Sequence, residues 1–234
     1  MGRAEEKYST EREIESELIK LFAGNSGINL IYTSGQNIDR LVSIYNACKE
    51  TKKTLAIDFY IANILETLSE FEEIPFPSKK YPEIKVFFPY RLSRMISNQG
   101  KERLLYRFKN FKITKGQIDN QFEKIVMVVR PSMRKDLELI NNLNTGSFIY
   151  SLWEGFKKEK FTKDFIDFLD SKGMTQKHIH TSGHADVAAL KRMVDVLKPK
   201  RLIPIHTFNR EGFSELFSNV KIQFVNDNEI INID

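Results

Sequence analysis

The four histidines of this chain are the side chains best suited to acid–base or metal chemistry near neutral pH. Three of them, His178, His180 and His184, lie within seven consecutive residues, and the fourth is His206. For His180, His184 and His206, a functional role and a hydrogen-bonded structural role are both open from the residues alone. His178 has no partner that the sequence reveals, so a structural role explains it better.

The spacing of the first three histidines predicts how they are presented. His178 and His180 are two residues apart, which places them on the same face of a strand. Ser182 and Gly183 then form a turn at the C-terminal end of that strand. Such a turn presents backbone N–H groups at the start of a helix, which suits an anion such as phosphate. His184, directly after the turn, is placed to donate a proton to a leaving oxygen.

A sheet must position these side chains, and the chain alternates short apolar runs with amphipathic helical stretches. The predicted strands are residues 28–32, 54–57, 84–88, 125–129, 147–150, 178–180, 202–205, 221–225 and 230–233. The predicted helices cover residues 11–24, 38–48, 61–68, 134–142, 161–169 and 185–197. This alternation predicts an α/β fold with a mostly parallel sheet flanked by helices. If the strands before His184 and His206 are parallel, both rings emerge at the carboxyl edge, where ligands bind in such folds.

Composition narrows the class of protein without deciding its function. The chain of 234 residues has 36 Lys and Arg against 31 Asp and Glu, which gives a net charge of +5. This charge, with a basic stretch over residues 91–115, is compatible with a nucleic-acid partner but does not require one. Cys48 is the single cysteine, so an intrachain disulfide and a thiolate-rich zinc site are excluded and a reducing cytoplasm is expected. No apolar run approaches the ~20 residues of a membrane span.

Several segments form a recognisable pattern when they are taken together. Residues 180–186 (HTSGHAD) are followed by 197–200 (LKPK) and 203–206 (IPIH). This HxSGHA…IPxH pattern resembles the C-terminal end of the β-CASP metallo-β-lactamase-fold nucleases, the ribonuclease J-like family. Residues 34–40 (SGQNIDR) and 150–156 (YSLWEGF) are similar to two segments of the β-CASP part of that family.

The resemblance implies a domain organisation and a reaction. Residues 1–175 would form a β-CASP-like domain, and residues 176–234 would form the C-terminal α/β segment of a metallo-β-lactamase fold of the RNA-metabolising type. The parent protein would be a zinc-dependent RNA-processing hydrolase of phosphodiester bonds, with RNA as its partner. A DNA-acting branch of the same family is a weaker alternative.

The resemblance also implies roles for individual residues. His184 would contact the scissile phosphate as the catalytic proton donor, and His206 would be a zinc ligand. Ser182 and Gly183 would help to hold the phosphate, and His180 joins them as a substrate-binding candidate.

Three further residues have two interpretations each. Trp153 is a base-stacking platform or, on general grounds, a core aromatic. Asn37 contacts a phosphate or caps a helix, and Arg40 contacts a phosphate or carries a solvated charge. Asn37 and Trp153 are retained as substrate-binding candidates.

The chain departs from the family in its metal ligands. The family builds its metal site mainly from an HxHxDH motif, a further His and an Asp, whereas the one His-x-His here, at 178–180, is followed by Thr181 and Ser182. Catalytic zinc normally needs three protein ligands, and His206 supplies one. We therefore expect that zinc belongs to the parent enzyme, that this chain does not hold it stably, and that the chain alone is inactive.

Two consequences follow for partners and for function. The apolar C-terminal segment needs cover, from a second copy in a homodimer or from a missing N-terminal metallo-β-lactamase half. The alternative function is a non-catalytic nucleic-acid-binding module or a partner-dependent half, supported by the basic stretch at residues 91–115.

Overall fold

The computed structural model describes residues 9–181, 185–205, 207 and 209–232. Within these residues, six strands form one sheet. The strands are β1 (Asn29–Tyr32), β2 (Thr54–Asp58), β3 (Ile84–Phe87), β4 (Ile125–Val129), β5 (Ser147–Tyr150) and β6 (Thr175–His178). Their order is β3-β2-β4-β1-β5-β6, and every neighbouring pair is parallel. The predicted α/β class with a parallel sheet flanked by helices is confirmed.

The helices of the described residues follow the strands in alternation. They are α1 (Glu11–Gly24), α2 (Ile38–Glu50), α3 (Phe59–Leu68), α4 (Tyr90–Asn98), α5 (Arg103–Tyr106), α6 (Lys115–Asn120), α7 (Arg134–Leu137), α8 (Lys160–Ser171), α9 (Val187–Leu197) and α10 (Gly212–Leu216). Short 3-10 helices cover Lys109–Phe111, Phe122–Lys124, Pro131–Met133, Leu143–Thr145 and Glu154–Lys158. None of the helices in the described part of the chain has the length and apolar character needed to cross a lipid bilayer.

Alternating strand residues divide the core into two layers. Val126 and Val128 of β4 pack in one layer with α1, α2 and α3, whereas Met127 and Val129 pack in the other with α7 and α8. Successive side chains of a strand point to opposite faces, so a strand that is apolar at every position is covered on both sides. This explains why β4 is fully buried along its length.

The first helix begins at the capping box that the sequence predicts. The Thr10 hydroxyl accepts a hydrogen bond from the Glu13 backbone N–H at 3.2 Å, and the Glu13 carboxylate accepts one from the Thr10 N–H at 2.7 Å. The box satisfies backbone donors that an uncapped helix leaves unpaired.

The described residues divide into two compact units, a sheet unit of residues 9–181 and a C-terminal unit that begins with residue 185 in the described part. The C-terminal unit contains α9 and α10. The strands predicted there, at 202–205, 221–225 and 230–233, are wrong for most of their described residues. Residues 202–205 and 221–225 contribute one parallel bridge, between Leu202 and Ile222, and residues 230–232 form no strand. Pro204 has no N–H for a ladder, and Ile205 is exposed rather than packed. The assignment of residues 1–175 and 176–234 to two different folds stays a prediction.

Most of the other predicted elements differ from the structure by one or two residues at an end, and two differ by more. The strand predicted at 178–180 is β6, which ends at His178. The helix predicted over 134–142 stops at Leu137 as α7. Beyond it the Asn141 N–H donates to the Asp119 carboxylate at 2.7 Å, and Asn142 takes a left-handed conformation with φ 59°, so the helix cannot continue.

The guanidinium of Arg40 lies at the centre of the packing between helices and sheet. Its side chain is 0% exposed, so its interpretation as a solvated charge is wrong. Nη2 and Nε donate to the Glu11 carboxylate of α1 at 2.9 and 3.0 Å. Nη1 donates to the Ser151 hydroxyl and to the Ile179 carbonyl oxygen. A carboxylate and two oxygen acceptors therefore replace the water that a buried cation would otherwise need.

Replacing Arg40 with Ala is expected to lower the free energy of unfolding of the sheet unit by about 2–5 kcal/mol, because the truncated side chain leaves a cavity and the Ser151 hydroxyl and Ile179 carbonyl oxygen lose a buried donor. Urea denaturation followed by far-UV circular dichroism measures the loss. Arg12→Ala, at an exposed position of α1, is the control and should change stability by less than about 0.5 kcal/mol. Equal losses in the two variants would contradict a central role for the Arg40 guanidinium.

Candidate functional site

All six strands are parallel, so their carboxyl ends meet at one side of the sheet, which we call the carboxyl edge. Open α/β sheets bind ligands at this edge. β2 ends there with Asp58, β4 is followed by Arg130, β5 by residues 151–153 and β6 by residues 179–181. These segments therefore supply the candidate site.

At one end of the carboxyl edge, Tyr150 organises a group of side chains that we call the aromatic corner: Tyr150, Trp153, Phe156, Lys157 and His178. The Tyr150 hydroxyl donates to the Trp153 carbonyl oxygen at 3.1 Å, and the ring centroids of Tyr150 and His178 are 5.7 Å apart. The Lys157 ammonium lies 5.0 Å from the Tyr150 ring centroid. Burial raises the pKa of Tyr150 to about 12, so the phenol stays protonated as a donor.

Trp153 is 62% exposed, so its interpretation as a core aromatic is wrong. Its ring meets the Phe156 ring edge-on, with centroids 5.4 Å apart and an interplanar angle of 89°. A Cβ on Gly155 would lie 2.2 Å from atoms of the indole ring, so only glycine at 155 permits this position of the ring. The loop after β5 thus holds an indole at the surface. Its role as a base-stacking platform stays a prediction.

His178 and His180 lie on the same face, as the strand spacing predicts. Their rings are stacked, with centroids 6.1 Å apart and an interplanar angle of 17°. His178 has the partner that the sequence does not reveal: its Nε2–H donates to the Leu152 carbonyl oxygen at 3.1 Å, and since a carbonyl only accepts, Nε2 carries the proton. The hydrogen bond from His178 to Leu152 therefore joins β6 to the loop after β5.

His180 lies in a positively charged and partly buried environment. Burial lowers its pKa, and the Arg40 guanidinium and His178 lower it further. Its Nδ1 is buried and has no hydrogen-bond partner among the described residues. The ring is therefore neutral near pH 7, with one ring nitrogen not used by the protein.

Asn37 caps α2, because its side-chain oxygen accepts the Arg40 backbone N–H at 3.1 Å. This is the structural alternative that the sequence offers for this residue, and a phosphate contact by Asn37 stays a prediction. Ser182, Gly183, His184 and His206 lie outside the described residues. Their predicted roles in phosphate binding, proton transfer and zinc binding stay predictions.

The centre of the carboxyl edge contains a group that sequence reasoning missed. Asp58, 1% exposed, accepts the Ile61 N–H at 3.0 Å as the N-cap of α3, and its other oxygen forms an ion pair with Arg130. Burial raises the pKa of Asp58, and the Arg130 guanidinium offsets part of that rise. The same guanidinium lies 5.2 Å from the Tyr60 ring centroid, and the Tyr60 hydroxyl accepts from the Gln36 amide at 3.2 Å.

A signal for this group is present in the sequence. Asp58 is the last residue of a buried strand, and Arg130 directly follows another. A charged residue at the carboxyl end of a parallel strand belongs to the edge where ligands bind. Arg130 is one-third exposed and so presents a cation at the centre of the edge.

Comparisons with known proteins support one part of the sequence interpretation. Residues 174–221 match the family model described as the Zn-dependent metallo-hydrolase RNA specificity domain. The match begins just before β6, includes both described histidines and extends beyond α10. It supports a relationship to metallo-hydrolases of the β-CASP type, and the narrower ribonuclease J-like relationship stays a prediction. No curated protein matches the chain.

A solved structure shares the fold of the chain. It is the crystal structure of a protein of unknown function from Enterococcus faecalis V583, with a TM-score of 0.64 and 16% sequence identity. The alignment covers 97% of this chain and 46% of that chain, so this chain spans about half the length of the solved structure. At this identity the likeness shows the fold alone.

The family that matches is zinc-dependent, and a zinc centre needs at least three His, Cys, Asp or Glu ligands. In the part of the chain that the structure describes, no three such side chains come together to hold a metal ion. Cys48 is buried within the sheet unit, and burial raises the pKa of its thiol. The described residues therefore do not fit a zinc centre.

The pH dependence of stability tests the environment of His180. Its pKa is lower in the folded chain, so the unfolded chain binds more protons below about pH 6.5. The free energy of unfolding should therefore fall as the pH is lowered from 7 through 6.5 and below. Urea titrations at several pH values should give a shallower fall for His180→Gln than for the unaltered chain. The control, His178→Gln, should keep most of the fall; equal slopes in all three proteins would contradict this account.

Proposed function

We propose that this chain is the RNA-binding part of a zinc-dependent metallo-hydrolase that cleaves phosphodiester bonds, and that alone it binds RNA without cleaving it. The observation that carries the proposal is the match of residues 174–221 to the RNA specificity domain. The HxSGHA…IPxH pattern falls within the same residues. Because only part of the chain matches, the activity of the whole parent protein is inferred.

The aromatic corner supports RNA as the ligand. Proteins that bind single-stranded RNA stack the exposed bases on aromatic rings beside cationic groups. Trp153 and Phe156 expose such rings at the surface after β5. Arg130 adds a partly exposed guanidinium further along the carboxyl edge. A strand lying along this edge would find stacking surfaces and positive charge together.

The proposed chemistry assigns roles to residues of the motif. His184 would contact the scissile phosphate and give a proton to the leaving oxygen, because an imidazole exchanges protons near neutral pH. Ser182 and Gly183 would hold the phosphate through hydrogen bonds, and the neutral ring of His180 would lie beside them. Zinc would be held mainly by ligands from outside this chain, with His206 as one of them.

We propose that the C-terminal unit is covered by a partner, and that the partner is the metallo-β-lactamase half. Its exposed apolar side chains are Met193, Val196, Leu197, Ile205, Phe224 and Ile230. Several large apolar side chains exposed within one small unit favour an interaction surface there. A second copy of the chain is the alternative occupant. The single buried cysteine fits a protein that works in the reducing cytoplasm.

Trp153 is the only tryptophan, so its fluorescence reports directly on the aromatic corner. We expect single-stranded RNA to quench this fluorescence. Trp153→Ala should weaken binding of a labelled oligoribonucleotide about 5- to 100-fold in fluorescence anisotropy, because a base–aromatic stack contributes about 1–3 kcal/mol. Phe71→Ala is the matched control, since Phe71 is more exposed but lies in the segment after α3, before β3 begins. An unchanged affinity for Trp153→Ala would contradict the stacking role.

Metal content and cleavage test the second part of the proposal. After exchange into metal-free buffer, the purified chain should retain fewer than two zinc ions per molecule, because a dinuclear site needs more ligands than this chain offers. It should bind labelled RNA without shortening it when zinc or manganese is added. Two tightly bound zinc ions, or RNA cleavage that depends on His184, would show instead that the chain is a complete enzyme.

A further inference from the structure

A cavity of about 500 Å³ opens at the end of the carboxyl edge opposite the aromatic corner. It lies beyond the ends of β3 and β4, between the segment 88–106, the lysines that follow it and the start of α7. In the strand order, β3 and β5 are four positions apart, which corresponds to about 19 Å. The cavity is therefore separate from the aromatic corner, although both lie along the same edge.

Three lysines give the cavity its charge. Lys109, Lys112 and Lys115 line it, and within the described residues none of their ammonium groups forms an ion pair with a carboxylate. Lys112 instead lies 5.3 Å from the centroid of the Phe88 ring. An ammonium group on an aromatic face keeps most of its hydrogen-bonding capacity for another partner. No carboxylate of the described residues therefore holds these cations in an ion pair, although Lys115 lies close enough to Asp136 to favour the ionised form of that carboxylate.

Two carboxylates also line the cavity, and both are engaged by other groups. Asp136 is 2% exposed, and its two oxygens accept the Tyr90 backbone N–H at 3.2 Å each, at the start of α4. Glu102 accepts the Ser97 hydroxyl at 2.9 Å. Three lysines against two carboxylates leave the lining positive, with the buried charge of Asp136 directed at the helix terminus.

Aromatic rings form the rest of the lining. Tyr90 and Tyr106, which are 60% and 66% exposed, come from α4 and α5. Exposed tyrosines offer flat surfaces to a planar ligand and a hydroxyl to its polar edge. Ser93 adds a buried hydroxyl oxygen that has no hydrogen-bond partner among the described residues. The lining thus combines stacking surfaces, cations and an unused polar atom within a volume typical of small-ligand sites.

We propose that this cavity binds a single nucleotide, with the base stacked on Tyr106 and the phosphate held by Lys109, Lys112 and Lys115. A nucleotide is a ligand class that unites a planar base with an anionic phosphate. It can come from a single-stranded RNA that follows the carboxyl edge or from a free nucleoside monophosphate. The first source rests on the RNA-binding function proposed above, and the second does not.

The test uses the full chain and two ligands, adenosine 5′-monophosphate and an oligoadenylate labelled for anisotropy. Lys112→Gln combined with Lys115→Gln, and separately Tyr106→Ala, should each weaken binding by about tenfold. The lysine variant should also lower the slope of log affinity against log salt, by about 0.7 for each phosphate of a single strand that the protein no longer neutralises. The control is Lys124→Gln, which removes a lysine charge just before β4, at the amino side of the sheet.

The outcomes separate this site from the aromatic corner. If the monophosphate binds and the cavity variants weaken its binding by about tenfold, the cavity is a nucleotide site for a free ligand. If only the oligonucleotide binds and the cavity variants weaken it, the nucleotide belongs to the strand. If the cavity variants change neither ligand's affinity relative to Lys124→Gln, the proposal is overturned. In that event, a lower oligonucleotide affinity of Trp153→Ala would still support the RNA-binding function. If no variant lowered that affinity, both the cavity site and the RNA-binding function would be contradicted.

Discussion

The arrangement of the carboxyl edge depends on one buried cation, the guanidinium of Arg40. It joins Glu11 of α1 to Ser151 after β5 and to Ile179 after β6. The Ser151 hydroxyl also donates to the Ile179 carbonyl oxygen at 2.6 Å, so the ends of two neighbouring strands share one set of hydrogen bonds. A fully buried charge persists only where every donor is satisfied, which fixes these segments relative to each other. Trp153 and His180 each lie within two residues of a group that Arg40 holds.

The same cation sets the electrostatics of its surroundings. Burial lowers the pKa of His180, and the nearby positive charge of Arg40 lowers it further, so the ring is neutral near pH 7. In the middle of the carboxyl edge, Arg130 differs from Arg40 because part of its side chain is exposed to solvent. Its countercharge, Asp58, is buried while the guanidinium remains partly exposed. Positive charge that a ligand can reach therefore comes from Arg130 and from the lysines near α6, and not from Arg40.

Local patterns in the sequence were sufficient for much of the sheet unit. The bounds of β4 and β5 were predicted as the structure has them, because each is a continuous apolar run with turns at both ends. The Thr10 capping box and the shared face of His178 and His180 follow from residues a few positions apart. Contacts between residues distant in sequence were not accessible in this way. The burial of Arg40 depends on Glu11 and Ser151, which lie 29 and 111 positions away.

The C-terminal unit shows the converse difficulty. Its apolar runs have the composition of strands, but a strand also needs a neighbour that supplies hydrogen bonds along its whole length. Leu202 and Ile222 form one isolated parallel bridge, while Ile205 and Ile230 remain exposed. Composition alone cannot distinguish a run that is paired within the chain from one whose partner is another molecule. The site residues of the motif were recognisable only through the family resemblance, since spacing left a structural role and a catalytic role open for them.

Aromatic rings and cations occur together along the carboxyl edge, and this pairing bears on what the edge can bind. Lys157 lies over Tyr150, Arg130 over Tyr60 and Lys112 over Phe88. Each contact holds a flexible cation above a ring and lowers the entropy that it must lose when a ligand arrives. Stacking tolerates any base and cations recognise any phosphate, so such pairs are compatible with the proposed RNA binding but would not select a sequence. For the proposed RNA ligand, selectivity for particular sequences would then have to come from hydrogen bonds to base edges.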